Sequence, residues 1–356
     1  MNKKRIISVL LTMVMLVILA ACGAGSPPAQ PAPAAQPGAS GQAEAESFAG
    51  RRLVVYTTTR PEFHDPLLAP FIEETGIQIE FMNAGVGELM SRVRAEAQNP
   101  IADVMLGGLL SSTSANAELF EPFLSVHEPY IIDEFRNTEG NLTRFHHSGS
   151  VLMVNTELIG DIPVRGYTDL LNPALRGRIA MTDPSASGSA FEHLVNKLYA
   201  MGNGDPHAGW DYVEALMDNV DGVMLGSSSA VVRGVADGEF LVALTFEEGP
   251  VPYIEGGAPV EMIYMEEGVI FNPGGVYIIP GTANLDIAQL FVDFVLSHDA
   301  QAFMEENLHR RSVRNDVVTD GFLPPLSEIN IITADADYVS ENREAWLDRF
   351  MDIMTR

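Results

Sequence analysis

Short apolar runs and segments of helical spacing alternate from residue 53 onward, and this alternation constrains the fold more than any other feature. The run Leu-Val-Val-Tyr at 53–56 has the length and composition of a buried β-strand. Phe63, Leu67 and Phe71 then recur at the spacing of one helix face. Apolar residues alternate at 77–81, where a second strand is expected. The pattern predicts a β-α-β unit.

A second helix and a third strand extend this unit. Leu89 and Val93 lie on the apolar face of the helix, and Ala-Asp-Val-Met-Leu at 102–106 is typical of a buried strand. Strands separated by helices form parallel sheets, which bind ligands at the carboxyl ends of their strands. We therefore expect an α/β fold with a doubly wound sheet, and ligand-binding loops at 57–60 and 107–112.

A second α/β unit is expected to begin near Gly149. Its predicted strands lie at 150–155, 179–181, 241–244, 261–265 and 275–279, and its predicted helices at 187–201, 206–218, 229–236, 284–296, 299–307 and 339–354. His146 and His147 stand just before this unit without a nearby carboxylate cluster, so we expect them at the surface rather than in a metal site.

The N-terminus has the pattern of a secretion signal. Lys3, Lys4 and Arg5 precede an uncharged, mostly apolar run at 6–21 that ends directly before Cys22. This run is short for a helix that must cross about 30 Å of hydrocarbon. Its end, Leu-Ala-Ala-Cys, resembles the bacterial lipobox, which implies cleavage before Cys22 and a diacylglycerol on its thiol. An ordinary signal peptide with an incidental cysteine is the alternative, but Cys22 is the only cysteine of the chain.

A flexible tether is expected at 23–50, where prolines are interspersed with Ala, Gln, Gly and Ser. The chain of 356 residues has 21 basic and 48 acidic residues, a formal charge of −27. Cleavage before Cys22 removes three basic residues and leaves a charge of −30. Such a charge excludes broad contact with nucleic-acid phosphates or anionic lipid headgroups.

Common catalytic and nucleotide-binding motifs are absent from the sequence. HExxH, CxxC and GxxxxGK[ST] do not occur, and residues 226–230 lack the closing glycine of a GxSxG nucleophile elbow. We therefore expect no enzyme activity, no cofactor and no resident metal. An exported enzyme on a similar scaffold is the competing class.

Three loops rich in Ser and Thr, at 57–60, 183–189 and 227–229, each precede a helix. Free backbone N–H groups and the positive end of the helix dipole make such positions receptors for anions. For any one loop, plain N-capping is the better explanation. Three such loops, one in the first unit and two in the second, favour a ligand between the units.

Several segments are typical of one family. They are Leu-Val-Val-Tyr at 53–56, Phe-Ile-Glu-Glu-Thr-Gly-Ile at 71–77, Ala-Asp-Val-Met-Leu-Gly-Gly at 102–108, Leu-Arg-Gly-Arg-Ile-Ala-Met-Thr-Asp-Pro at 175–184 and Arg-Arg-Ser-Val-Arg at 310–314. With the lipobox, they resemble extracytoplasmic substrate-binding proteins of ABC importers, in the branch that takes ferric iron, 2-aminoethylphosphonate or sugar phosphates. The resemblance implies a periplasmic-binding-protein-like fold of two α/β lobes that close on ligand like a hinge, with a membrane permease and an ATPase as partners.

The ligands of the ferric branch are missing from this chain. Ferric-binding members resemble Tyr-Asn-Gly-Gln-His after the first strand, whereas Arg60 stands at the position of the histidine and arginine does not ligate iron. A glutamate ligand would fall on Gly108, and a tyrosine pair within 245–248. Arg60 suits a phosphate or phosphonate, because its planar fork makes paired charge-assisted hydrogen bonds. Glu247 or Glu248 would receive an ammonium group or sugar hydroxyls, although both also fit a general acidic surface.

The predicted organisation is a signal peptide with its lipobox cysteine at 1–22, a tether at 23–50, lobe 1 at 51–148 plus 276–318, lobe 2 at 149–275 and a C-terminal helical segment at 319–356. The predicted ligand-binding residues in the hinge cleft are Thr57, Thr58, Thr59, Arg60, Gly107, Gly108, Ser185, Ser187, Gly188, Ser189, Ser227, Ser228, Ser229, Phe246 and Glu247, and Cys22 is the predicted lipidation site.

The predicted function is that of a monomeric, lipid-anchored receptor outside the cytoplasm, which delivers a small phosphorylated or phosphonated anion to an ABC permease. Two alternatives stay open. One is a ferric-iron-binding protein, since Glu247 and Glu248 are hard oxygen donors. The other is a receptor that signals to a membrane sensor without transport.

Overall fold

A mixed β-sheet of eight strands organises the computed structural model, which describes residues 48–355 except 139, 319 and 320. The strands are β1 Arg52–Thr57, β2 Gln78–Asn83, β3 Val104–Leu109, β4 Thr143–Asn155, β5 Ile179–Ala180, β6 Val242–Phe246, β7 Val260–Ile263 and β8 Phe271–Ile278. Their order is β2-β1-β3-β8-β4-β6-β5, with β7 also paired to β4. The signal peptide, Cys22 and nearly all of the tether lie outside the described residues.

Helices cover the sheet and connect its strands. They are α1 Pro61–Thr75, α2 Val86–Ala95, α3 Leu110–Thr113, α4 Gly188–Met201, α5 Trp210–Val220, α6 Ser228–Ala236, α7 Val251–Glu255, α8 Leu285–Val295, α9 His298–Leu308 and α10 Ala336–Met354. Short 3-10 turns occur at Ser114–Leu119, Glu128–Tyr130, Asp133–Phe135, Thr168–Leu171, Pro173–Leu175 and Leu326–Glu328. None of the helices between residues 48 and 355 has both the length and the apolar composition of a membrane span.

The α/β class predicted from the sequence is confirmed, and the first three strands are parallel neighbours as expected. Leu53 pairs with Ile79 and Val55 with Val104, so β1 lies between β2 and β3. Beyond β3 the sheet is mixed, because β8 runs opposite to both β3 and β4, whereas β5 and β6 are parallel. Strand β4 therefore runs in the same direction as β3, and β8 lies between them in the opposite direction.

Strand β4 is longer than predicted and joins two parts of the sheet. It begins at Thr143, whereas the sequence pattern placed its start at Ser150. Residues 143–149 pair with β8, and residues 150–155 pair with β6 and β7. His146 and His147 lie within this strand and are only 5% and 1% exposed, so the prediction that they lie at the surface is wrong. Burial lowers the pKa of His147 to about 3, which keeps its ring neutral.

Buried apolar side chains form separate clusters at the two ends of β4. One cluster contains Leu53 of β1, Phe71 of α1 and Phe291 of α8. Another contains Trp210 of α5 and extends to Phe350 of α10, so the last helix packs on the second end of the sheet. The loops that follow β1 and β3 face the start of α4 between these clusters, and a cleft opens there.

Candidate functional site

A cleft of about 320 Å³, here called the inner chamber, lies between the loops after β1 and β3 and the start of α4. This volume is in the range of small-molecule sites. The predicted site residues that line it are Thr58, Thr59, Gly107, Gly108, Ser187, Gly188, Ser189 and Phe246. Residues that the sequence analysis did not assign to the site also line it, among them Ser112, His146, Ser148, Glu248 and Arg310.

Two consecutive glycines shape the first wall of the inner chamber. Gly107 and Gly108 have φ angles of +98° and +88°, which side chains disfavour. A Cβ atom on Gly107 would lie 2.2 Å from the Thr58 hydroxyl, which accepts a 3.0 Å hydrogen bond from the Gly108 N–H. Thr57 supports this wall from beneath, since its side chain is buried and bonded to the Thr59 hydroxyl and the Leu106 carbonyl. The two loops therefore form one rigid surface.

Three serine hydroxyls gather on the opposite wall. The Ser187 Oγ lies 2.9 Å from both Ser189 Oγ and Ser228 Oγ, and the last two are 2.6 Å apart. Ser187 caps α4, and Ser227 caps α6. The serines at the starts of α4 and α6 therefore provide the helix caps and also contact each other, because the two helix starts meet at this point. Ser187, Gly188 and Ser189 line the inner chamber, so the start of α4 supplies hydrogen-bond donors to it.

Arg60 lies at the rim of the cleft. Its Nη1 donates a 3.0 Å hydrogen bond to the Ser229 hydroxyl, which joins the β1 loop to the start of α6. The side chain is exposed, and it is not among the residues that line the inner chamber. The contact connects the two walls directly.

Arg310 is the main positive group inside the inner chamber, and sequence reasoning did not place it there. Its guanidinium lies 4.1 Å from the centre of the Phe63 ring, and its Nη1 donates to His146 Nε2 at 3.3 Å. Its Nη2 is 3.4 Å from the Glu248 carboxylate, while its buried Nε has no hydrogen-bond partner in the described part of the chain. Burial lowers the pKa of Arg310, and Glu248 opposes that effect. An arginine stays charged under such conditions, so the chamber contains a partly compensated cation.

Glu247 and Glu248 are neighbours with different environments. Glu248 lines the inner chamber and accepts a 2.7 Å hydrogen bond from the Ser148 hydroxyl. Glu247 is fully buried behind it and pairs with Arg311 at 2.8 Å. It does not line the inner chamber, so the structure places the predicted ligand-binding glutamate one residue away from the cleft wall.

The cleft continues into a second space of about 440 Å³, here called the outer chamber. The two chambers share Gly85, Val86, Ser112, Ser187 and Gly188. Ser185, another predicted site residue, lines the outer chamber together with Arg94, Arg343 and Glu344. The two chambers therefore adjoin each other along this shared wall.

Positive charge is concentrated in this cleft. Arg310, Arg94 and Arg343 line the chambers and Arg60 lies at the rim, against the two carboxylates of Glu248 and Glu344. The chain as a whole has 48 acidic and 21 basic residues. Among the described residues, no three His, Cys, Asp or Glu side chains form a group that fits a metal ion.

Comparison with known proteins places this chain in a family. Residues 67–327 match the family described as bacterial extracellular solute-binding proteins. The iron uptake protein A1 of Synechocystis sp. is 25% identical over 303 residues, which cover 81% of this chain and 82% of the relative. A putative 2-aminoethylphosphonate-binding periplasmic protein of Salmonella typhimurium is 22% identical over 252 residues, which cover 69% of this chain and 73% of the relative.

The solved structures include the periplasmic binding protein AfuA from Actinobacillus pleuropneumoniae with exogenous fructose-6-phosphate bound. It is 26% identical to this chain and matches it with a TM-score of 0.77, over 86% of this chain and 99% of AfuA. The shared fold is two-lobed, and proteins with this family and fold are solute-binding proteins rather than enzymes. The chain belongs to the family of bacterial extracellular solute-binding proteins.

Proposed function

We propose that this protein captures a small phosphorylated or phosphonated anion and delivers it to an ABC permease. Binding proteins of this family deliver small ligands to such permeases. The observation that carries the choice of ligand is Arg310, a partly buried cation whose Nε has no hydrogen-bond partner among the described residues, in a chamber whose other walls offer hydroxyl and backbone donors. A tetrahedral oxyanion accepts several such hydrogen bonds at once.

The negative charge of the whole chain does not prevent the cleft from binding an anion. A formal charge of −27 repels a free anion at long range, but salt screens exposed charges beyond about 8 to 10 Å under physiological conditions. Within the cleft the arginines outnumber the carboxylates. The charged groups of the cleft therefore determine the sign of the charge that the ligand carries.

The same donors argue against ferric iron as the alternative. Glu248 is the carboxylate of the inner chamber, and it lies beside the Arg310 guanidinium at 3.4 Å. A trivalent cation at Glu248 would face that guanidinium directly and be repelled. The Tyr264 hydroxyl is occupied by Glu247 at 2.7 Å, and the Tyr277 hydroxyl by Thr113 at 2.8 Å. An anion fits this donor set better than a metal ion.

The proposal includes a hinge and an anchor. Lobe 1 at 51–148 plus 276–318 and lobe 2 at 149–275 would close on the ligand through β4 and β8, with the segment 319–356 packed on the lobes. The bond between Arg60 and Ser229 would then belong to the closed state, because it connects one lobe to the other. The sequence Leu-Ala-Ala-Cys supports a lipid on Cys22 that keeps the receptor, a monomer, at the outer face of the membrane.

Thermal-shift measurements and calorimetry on purified protein test the ligand class. The panel consists of 2-aminoethylphosphonate, fructose 6-phosphate, inorganic phosphate, ferric citrate and spermidine. A true ligand at about 100 times its dissociation constant should stabilise the protein by about 2.7 kcal/mol. The proposal expects a phosphorylated or phosphonated compound to bind, with ferric citrate and spermidine inert.

Arg310→Gln should weaken this binding by at least about tenfold, while Arg92→Gln, an exposed change on α2 outside the cleft, should not. Because Arg310 also packs on Phe63, Ser189→Ala serves as a second variant that leaves the core intact. Stoichiometric ferric binding that persists against a chelator would overturn the proposal. So would unchanged affinity in both cleft variants.

A further inference from the structure

The inner chamber does not end at the donors proposed to bind the phosphoryl group. It adjoins the outer chamber along five shared residues, and the outer chamber has the larger volume, about 440 Å³ against about 320 Å³. A ligand that filled only the inner chamber would leave the outer one to water. The residues of the outer chamber therefore indicate what chemical groups the rest of the ligand carries.

Arg343 contributes an unsatisfied cation to the outer chamber. It lies on α10 with its guanidinium 3.9 Å from the centre of the Phe191 ring, and its buried Nη1 has no hydrogen-bond partner among the described residues. A buried N–H without an acceptor is costly, so the position favours a ligand that supplies one. The stacking on Phe191 holds the guanidinium plane in place.

The carboxylate near Arg343 compensates it only in part. Glu192 is the acid whose charge acts on Arg343, and its own pKa is raised to about 7 by burial. At neutral pH this carboxyl group therefore carries less than a full negative charge. Its Oε1 is also engaged by the Ser111 hydroxyl. Arg343 thus retains a net attraction for anions.

Arg94 supplies a second cation to the same chamber. It lies in the last turn of α2, where it donates a hydrogen bond to the Asn116 side chain, and both residues line the chamber. Its neighbour Arg92 instead pairs with Glu88 at 3.2 Å on the outside of the helix. Among the described residues no carboxylate lies within ion-pair distance of Arg94. Arg94 is therefore available to a ligand, whereas Arg92 is not.

We propose that the ligand carries a second anionic group, a carboxylate or a second phosphoryl group, which Arg94 and Arg343 bind in the outer chamber. This inference rests on the proposed function, because it assigns the first anionic group to the inner chamber. Glu344 is the carboxylate among the described residues that line the outer chamber, and the two arginines leave the chamber with a net positive charge. The cleft then recognises an elongated ligand by charge at both ends.

Pairs of ligands that differ by one anionic group test the inference by calorimetry. Fructose 6-phosphate is compared with fructose 1,6-bisphosphate, and glycerol 3-phosphate with 3-phosphoglycerate, at fixed ionic strength. In at least one pair the doubly anionic member should bind the wild-type protein at least about tenfold more tightly, since each charge-assisted hydrogen bond is worth that much or more.

Variants then assign the preference to the outer chamber. Arg94→Gln should reduce the ratio within that pair to about threefold or less, because it weakens binding of the doubly anionic member far more than binding of the singly anionic one. Arg343→Gln should have the same effect. Arg92→Gln is the matched control on the same helix and should keep the full ratio. Arg94 is exposed, so its replacement is expected to leave folding unchanged.

The outcomes separate the two proposals. If the singly anionic members bind as tightly as their partners, or if Arg94→Gln keeps the full ratio, the second anionic group is refuted while the proposed function stands. If no phosphorylated or phosphonated compound binds the wild-type protein, the proposed function fails, and this inference fails with it.

Discussion

The Arg311 guanidinium lies 2.8 Å from the Glu247 carboxylate, and the two side chains are 7% and 0% exposed. The pair connects the end of β6 to the segment after α9. Glu247 also accepts hydrogen bonds from the Tyr264 hydroxyl at 2.7 Å and from the Gly149 N–H at 3.0 Å. Burial raises the pKa of Glu247, and Arg311 and the hydrogen bonds oppose that effect. These contacts occupy both carboxylate oxygens of Glu247. Glu247 therefore connects the end of β6 to β4 and to the segment after α9, behind the cleft wall.

Replacing one partner of this pair should destabilise the protein strongly. Glu247→Gln leaves the Arg311 charge buried without compensation, and breaking a buried ion pair costs about 3 to 5 kcal/mol. Urea unfolding of the unliganded protein measures the change. Glu261→Gln, an exposed substitution on β7, is the control and should stay within about 0.5 kcal/mol of the wild type. Wild-type stability together with lost ligand affinity would show that Glu247 contacts the ligand instead.

Glu248→Gln distinguishes two classes of anion. An aminophosphonate offers an ammonium group that needs the negative charge, whereas the hydroxyls of a sugar phosphate bind an amide oxygen as well. We expect calorimetry to show a loss of about tenfold or more for 2-aminoethylphosphonate and of about threefold or less for fructose 6-phosphate. Equal losses for both compounds would mean that Glu248 acts only by positioning Arg310.

Arg60→Ala should weaken ligand binding by about tenfold, the lower end for a charged hydrogen bond, because this side chain is exposed at the rim. Its effect on the unliganded stability should be small. Ser229→Ala removes the partner hydroxyl and should produce part of the same loss, with less than additive effects in the double variant. Wild-type affinity in Arg60→Ala would remove Arg60 from the site.

Lys197 should make the stability of the protein depend on pH above neutrality. Its Nζ is buried without a hydrogen-bond partner among the described residues, and burial lowers its pKa from 10.5 to about 7. Between these values the unfolded chain holds a proton that the folded chain lacks, so stability rises with pH, by up to about 1.4 kcal/mol per unit. Below about pH 7 the folded protein carries the full free-energy cost of burying a charged Lys197 amine.

Lys197→Met should therefore raise the free energy of unfolding at pH 7 and flatten the profile from about pH 7 to 10.5. Denaturant melts across this range, compared with those of the wild type, measure the effect. Ser or Gln at the same position is a poor control, because either leaves a polar group in the core. A profile that Lys197→Met does not change would show that the amine is solvated.

Cys22→Ala tests the lipid anchor. The variant should lose its association with membranes on fractionation of expressing cells, while the domain after the tether keeps its stability and ligand affinity. Metabolic labelling with a fatty acid should mark the wild type alone. If the variant still partitions fully with membranes, the lipobox interpretation is wrong.

The order of elements was readable from the sequence because apolar periodicity is local. Phe63, Leu67 and Phe71 predict α1 without reference to any other part of the chain, and the structure has α1 at Pro61–Thr75. Two of the three loops rich in Ser and Thr, 183–189 and 227–229, supply helix caps in the structure, and capping residues are local signals. The structure brings Ser187, Ser189 and Ser228 within 2.9 Å of one another.

The interior of the cleft was not readable in the same way. Arg310 follows α9, far in sequence from the β1 loop, and only tertiary packing brings it against Phe63. Glu247 and Glu248 are identical in type and adjacent, so composition does not tell which one faces the cleft. His146 and His147 were assigned to the surface because β4 was expected to start after them. Each of these cases depends on which side of a strand or loop is buried by the rest of the protein. That is a property of the whole fold and not of the local sequence.

The contrast between an acidic exterior and an arginine-rich cleft has a kinetic consequence. An anion that diffuses toward the protein first meets a repulsive potential, and it gains attraction only within a few ångströms of Arg60, Arg94 and Arg310. Added salt weakens the long-range repulsion before it affects the enclosed hydrogen bonds. The association rate constant should therefore increase with ionic strength, the reverse of an electrostatically steered receptor, so that capture is fastest in a salty medium.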